Sequence, residues 1–336
     1  MAQTKSNRFA DLVHPELTMG KYMPSMAVWN PFLRFLLRGL DFLVKLLARP
    51  PSTISGKVVH IPSLDSPATI ETYIARPKSS LPSKPLPAIL WIHSGGLVTG
   101  SYQIEYGLFH PFVDPHPFRL PDGCIVVSPN YRLAVNHPAP AQGDDCFATW
   151  LWMVEHAEEL GIDTDRIVLA GASAGGGLSA LLAQRILDYN RSIPSAQPYP
   201  VLQLLFFPML DDRTVSRMDA EVASGYKAVS HYPIFGPKAK QFGWKAYLGG
   251  KAGVAGIVPA RREDLAGLPP AWIGVGSLDL FLTEDVEYAR RLKEAGVEVT
   301  LEVVEGGWHG FNLCEGTKVV DEFVASQYRV LKRVLA

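Results

Sequence analysis

The stretch that most constrains the fold is RIVLAGASAGGGLSALLAQRIL, Arg166 to Leu187. A short apolar run enters a knot of small residues, and a pattern of helical period leaves it. Ser173 stands in the middle of that knot, hemmed in by glycine and alanine. A strand handed straight to a helix through small side chains lets the two elements come close together. It also commits the chain to an architecture in which helices pack back across a sheet.

The rest of the chain repeats that alternation. GKVVHIPS and TIETYIARP read as two β-branched strands, and LPAILWIHSGG, GCIVVSPNYRLA, PYPVLQLLFFPML, PPAWIGVGSLD and VTLEVVEGGWHGF as further strands. DDCFATWLWMVEHAEELGI has helical period, an acidic N-cap and a glycine stop at Gly161. EDVEYARRLKEAGV and VVDEFVASQYRVLKRVLA read as two later helices. The pattern predicts an α/β fold with a mostly parallel central sheet and helices on both faces. From Asp211 to about Leu268 the alternation breaks into Gly, Pro and aromatic residues, the length and texture of an inserted lid or subdomain.

A chain of 336 residues can bury a large core, and a net charge of -1 shows no nucleic-acid footprint. The three cysteines, Cys124, Cys146 and Cys314, have neither a disulfide-framework nor a zinc spacing and read as buried free thiols. The start, MAQTKSNRFADLVHPEL, has no basic-then-apolar leader, so a cytoplasmic location is expected. In VWNPFLRFLLRGLDFLVKLLARPP the charges Arg34, Arg38, Asp41 and Lys45 recur at steps of four and three. That predicts an amphipathic helix too interrupted to span a bilayer. It is expected to pack its apolar face on its own protein; contact with a membrane surface stays open.

Gly171-Ala172-Ser173-Ala174-Gly175 is a G-x-S-x-G pattern in the strand-to-helix context of a nucleophile elbow. A serine hydroxyl needs a base, and the base an orienting acid. In this fold class the chain order is serine, acid, histidine. Of the nine histidines only His231 and His309 follow Ser173. His309 lies just past a strand end on a glycine loop, whereas His231 falls in the insertion. Asp279 follows an earlier strand end; Glu284 and Asp285, inside the next helix, are the competing acids. A developing oxyanion calls for backbone donors, and Ala174 with the Gly95 and Gly96 amides of WIHSGGLV are the candidates. Leu97, Val98, Phe207, Met209, Trp308 and Phe311 are candidate walls of an apolar pocket.

These motifs resemble the hormone-sensitive-lipase-like esterases, family IV of the α/β-hydrolase superfamily, from about Lys57 to the C-terminus. HSGG at His93 is similar to the family's H-G-G-G, YRLAVNHPAPA from Tyr131 to its Y-R-L-A-P-E-x-x-x-P-A, and GASAGG at Gly171 to its G-D-S-A-G-G. PMLDDR, FGWKAYLG, LAGLPPAWIGVGSLD and His309-Gly310-Phe311 are also similar. The resemblance implies the α/β-hydrolase fold, with a cap made of residues 1–50 and 211–268 over a catalytic domain of 51–210 and 269–336. It implies hydrolysis of short- to medium-chain esters without metal or cofactor, and the many apolar groups and few charges near the site favour an apolar, uncharged ester. Ser94, Ala172, Val135, Asn136 and Thr283 depart from the family pattern, which leaves the substrate open. A lactonase or acyl transferase on the same machinery, a non-catalytic small-molecule receptor, and a homodimer are the alternatives; no nucleic-acid partner is expected.

Overall fold

Four strands are buried along their whole length: β3 (Leu86–Ile92), β4 (Ile125–Pro129), β6 (Leu202–Phe206) and β7 (Ala271–Gly276). Continuous apolar runs of this kind need cover on both faces, which a helix-flanked parallel sheet supplies. With β1 (Ile54–Pro62), β2 (Thr69–Pro77), β5 (Ile162–Ala172) and β8 (Val299–Val304) they form one eight-stranded sheet of order β1-β2-β4-β3-β5-β6-β7-β8. β2 is antiparallel to both β1 and β4, and the other pairs are parallel. This is the mostly parallel, helix-flanked sheet that the sequence pattern predicts. The computed structural model describes residues 9–47, 51–65, 67–78, 84–194, 197–214 and 232–336.

Helices α1 (Phe9–Leu12) and α2 (Pro31–Leu47) precede the sheet. α3 (Tyr106–Val113), α4 (Ala141–Glu155), α5 (Ala157–Leu160) and α6 (Ala174–Ser192) connect its strands. α7 (Pro237–Leu248) lies in the stretch after β6; α8 (Leu282–Glu294) and α9 (Lys318–Leu335) follow β7 and β8. Side chains along β3 alternate between two cores. Ala88, Leu90 and Ile92 join the α4–α6–α8 side, while Ile89 and Trp91 join Phe109 of α3 and Phe323 of α9 on the other.

The strand ends come into line where chemistry would need them. Ile92 pairs with Gly171, Ala172 with Phe206, and Gly276 with Val304. The loops that follow β3, β5, β7 and β8 therefore meet at one edge of the sheet, the usual ligand edge of such folds.

The N-terminal segment and the stretch after β6 touch each other over this edge. The Met26 amide donates to the Ile234 carbonyl at 2.8 Å and the Ile234 amide to the Pro24 carbonyl at 3.0 Å. The Arg34 guanidinium lies 4.7 Å from the centre of the Phe242 ring. Three local expectations need correction. α4 begins at Ala141 with no side-chain cap, because Asp144 and Asp145 are engaged by Arg185 and Arg132 instead. Cys314 is only half-buried, unlike Cys124 and Cys146. The exposed apolar residues of α2 include Phe32, Phe35 and Phe42, so its apolar face is not all packed on this chain. No helix among the described residues is long and apolar enough to cross a membrane, and His231 lies outside them.

Candidate active site

β5 passes into α6 through Ser173, whose backbone has φ 55° and ψ -118°. For a non-glycine residue this is a strained conformation, held here by its surroundings. The Ser173 amide donates to the Phe206 carbonyl at 2.8 Å, and the Ser173 carbonyl accepts from the Met209 and Gly177 amides at 2.9 and 3.0 Å. The glycines are steric requirements. A Cβ on Gly175 would lie 1.9 Å from the Ile92 carbonyl oxygen, and one on Gly171 would lie 2.5 Å from the Gly175 carbonyl carbon. The small knot thus brings α6 against the end of β3 and lifts the serine out of the strand.

Ser173 Oγ lies 3.1 Å from His309 Nε2, and His309 Nδ1 lies 2.9 Å from Asp279 Oδ2. A carboxylate only accepts, so Nδ1 carries the hydrogen and Nε2 is left to accept from the serine hydroxyl. Asp279 Oδ1 accepts the Phe281 amide at 2.9 Å, which fixes the carboxylate plane at the start of the α8 turn. All three side chains are buried. The rings of Phe207, Phe281 and Phe235 stand 4.8, 5.1 and 5.7 Å from the imidazole and shield it from water. Glu284 and Asp285 are elsewhere. Glu284 holds Lys240, Thr214 and the Leu210 amide, and neither oxygen of Asp285 has a partner among the described residues.

The loop after β3 turns at Gly95, Gly96 and Leu97, with φ of 114°, 60° and 69°. A Cβ at Gly95 would lie 2.0 Å from the Thr99 carbonyl oxygen. Neither the Gly95 nor the Gly96 N–H donates to another backbone acceptor among the described residues. Ala174 N–H opens α6, where helix amides are unpaired and the dipole is positive. This is the donor set an oxyanion needs. Ser94 N–H is turned away, donating to Glu105 Oε1 at 2.6 Å. His93 is stacked on Tyr131, ring centres 4.0 Å apart, and donates from Nδ1 to the Ser94 carbonyl at 2.7 Å.

Glu105 is the residue that sequence reasoning missed. Its other oxygen accepts Trp91 Nε1–H at 2.6 Å, so one buried carboxylate ties β3 to the glycine loop. Burial pushes its pKa up to about 7, against the pull of those two donors. An acid in the irregular YQIE turn carries no motif; its apolar surroundings were the one available signal.

A cavity of about 370 Å³ opens beside Ser173 and His309. Its wall includes Ser94, Gly95, Gly96, Ala172 and Phe207. Met26, Val28, Leu37 and Val44 come from the N-terminal segment, and Ile234 and Phe235 from the stretch after β6. Of the six apolar wall candidates only Phe207 lines it. Leu97, Val98, Met209, Trp308 and Phe311 are buried in the cores instead. Trp308 is held by its Nε1–H donating to the Leu17 carbonyl at 3.1 Å, and Phe311 packs on Phe323. Met209 uses its backbone to brace the elbow and turns its side chain to Gly243 of α7.

An α/β-hydrolase-fold family model matches residues 89–313, which contain the serine, the histidine, the aspartate and the glycine loop. Esterase LipI of Mycobacterium tuberculosis is 33% identical over 271 residues, covering 79% of this chain and 78% of that protein. The chain belongs to the hormone-sensitive-lipase-like esterases. Carboxylesterase NlhH of the same organism is 32% identical to this esterase over 256 residues, 74% of each chain. A solved structure of a bacterial heroin esterase superposes with a TM-score of 0.83 at 29% identity, covering 97% of the esterase and 98% of that chain.

Proposed function

We propose that this esterase is a serine carboxylesterase that hydrolyses short- to medium-chain or otherwise apolar, uncharged esters through an acyl-enzyme. The observation that carries the reading is the unbroken line Ser173 Oγ, His309 and Asp279, at 3.1 and 2.9 Å, beside a largely apolar cavity. Ser173 attacks the ester carbonyl while His309 Nε2 takes its proton. The oxyanion forms against the Gly95, Gly96 and Ala174 amides. His309 returns the proton to the leaving alkoxide, and the acyl group stays on Ser173. Water then attacks the acyl carbonyl and loses a proton to the same nitrogen; the Ser173–acyl bond breaks, the acid leaves, and His309 returns that proton to Ser173 Oγ. Asp279 keeps the tautomer and stabilises the imidazolium. The cap in this reading is formed by the N-terminal segment and the stretch after β6, whose Leu37, Val44 and Phe235 close the apolar side.

The test is a p-nitrophenyl ester series from C2 to C16 on wild type and Ser173→Ala. Wild-type turnover is expected to peak at short or medium chains and to fall by several orders of magnitude in Ser173→Ala. A folded Ser173→Ala chain that keeps near-wild-type turnover would overturn the assignment of the nucleophile.

A further inference from the structure

α2 presents two apolar sides. One, through Leu37 and Val44, lines the cavity that holds Ser173. The other carries Phe32, Phe35, Leu36, Phe42, Leu43 and Leu47, which are between 47% and 72% exposed. Their spacing puts all six on one arc of the helix. Few isolated globular surfaces show three phenylalanines and three leucines together, so this face is built to be covered. It is also continuous with the site. α2 packs on the Tyr102–Glu105 turn, and Ile104 of that turn and Leu313 after His309 are exposed as well as lining the cavity. Exposed apolar groups therefore run from the helix to the cavity mouth.

The two segments that meet over the cavity are one-sided in charge along the sequence. Residues 17–47 contain four basic residues and a single acid, Asp41, and residues 232–251 contain Lys238, Lys245 and Lys251 and no acid, their fourth lysine, Lys240, being buried against Glu284. The whole chain is at -1, so the excess of acid lies on the remainder of the molecule. An apolar aromatic helix face carried by net-basic segments matches an interfacial helix on an anionic bilayer. A second copy of the chain would bring two basic surfaces together.

We propose that α2 docks the protein on an anionic lipid surface, facing the cavity mouth toward apolar esters dissolved there. Docking stands on α2 and the charge distribution alone; delivery of ester rests on the esterase reading above. At the surface, the phenylalanines enter the headgroup–acyl boundary and the basic residues meet the lipid phosphates.

The test floats the full chain with vesicles of phosphatidylcholine, or of phosphatidylcholine with 30% phosphatidylglycerol. Wild type is expected to float with the anionic vesicles, on the order of tenfold more tightly than with the neutral ones, and less at high salt. Phe35→Ser with Phe42→Ser is expected to lose flotation while keeping p-nitrophenyl butyrate turnover in solution. The Ser173→Ala chain should float like wild type, which separates failure of docking from failure of the nucleophile assignment. A wild-type chain left unbound by both vesicle types overturns the proposal. So does a double variant that floats as well as wild type. A vesicle-free dimer that the same two substitutions dissociate, with no flotation, assigns the face to a second copy instead.

Discussion

Glu105→Gln changes one buried carboxylate into an amide of the same shape. In the folded chain the carboxyl is held up to about 7 by burial, against an ordinary value of 4.5. The folded state therefore keeps the proton after the unfolded chain has lost it. Between about pH 4.5 and pH 7 this group's contribution falls as pH rises, and it is flat on either side. At ~1.4 kcal/mol per pKa unit the fall is about 3 kcal/mol, or roughly 5 °C in melting temperature for a chain of this size. Glutamine does not titrate, so its variant lacks that slope. The assay is thermal melting of both proteins in matched buffers across this range. Wild type minus variant should decline by roughly 5 °C from acid to neutral pH. A glutamine amide also offers one acceptor where Ser94 N–H and Trp91 Nε1–H both need one. One buried donor then goes unpaired at a cost of about 1–3 kcal/mol. The glycine loop loosens, and kcat should fall about tenfold or more with KM little changed. A melting difference that stays constant across the range, from a folded variant, would refute the claim that this carboxyl is protonated into the neutral range.

Three further substitutions separate the acids and test the join between α7 and α8. Asp279→Asn should cost about 10⁴ in kcat by favouring the wrong tautomer, whereas Asp285→Asn should leave kcat within a few-fold. Burial, with the Glu284 and Asp279 carboxylates nearby, pushes the Asp285 carboxyl well above the usual carboxylate range. A stopped assay on one ester compares both variants, and a reversed order would reassign the acid. Lys240→Met removes the partner of Glu284 inside a fully buried ion pair joining α7 to α8. It should destabilise the chain by about 3–5 kcal/mol in urea unfolding, and a loss under 1 kcal/mol would contradict the buried pairing.

The elbow was legible because its demands are steric and local. A strand, a run of tiny residues and a helix leave few other ways to join them. Asp279 and His309 followed from chain order, since parallel strands bring every loop of one end to the same edge. The pocket wall was not legible. Leu97 lies in the loop beyond β3 with a positive φ, and Met209 lies beyond β6, turned by its backbone bond to the elbow, so neither side chain continues the alternation of the strand before it. α2 was readable as an amphipathic helix, but not the side it keeps covered. Leu37 and Val44 are apolar in one direction, and Phe32, Phe35 and Phe42 in another. The Asp144-Asp145 pair looked like a helix start because acids favour first turns; long-range partners, Arg185 and Arg132, account for them instead.

Phe235 touches two parts of the machinery at once. Its ring would meet a Cβ on Gly96 at 2.7 Å, and its centre stands 5.7 Å from that of His309. Leu37 and Val44 enter the same cavity from a helix that carries none of the reacting groups. Substrate range and reaction rate are therefore separable on one wall and coupled on the other. A lineage exploring new esters can vary Leu37 and Val44 without moving a reacting group, while each change at Phe235 must also keep the glycine loop and the imidazole in place.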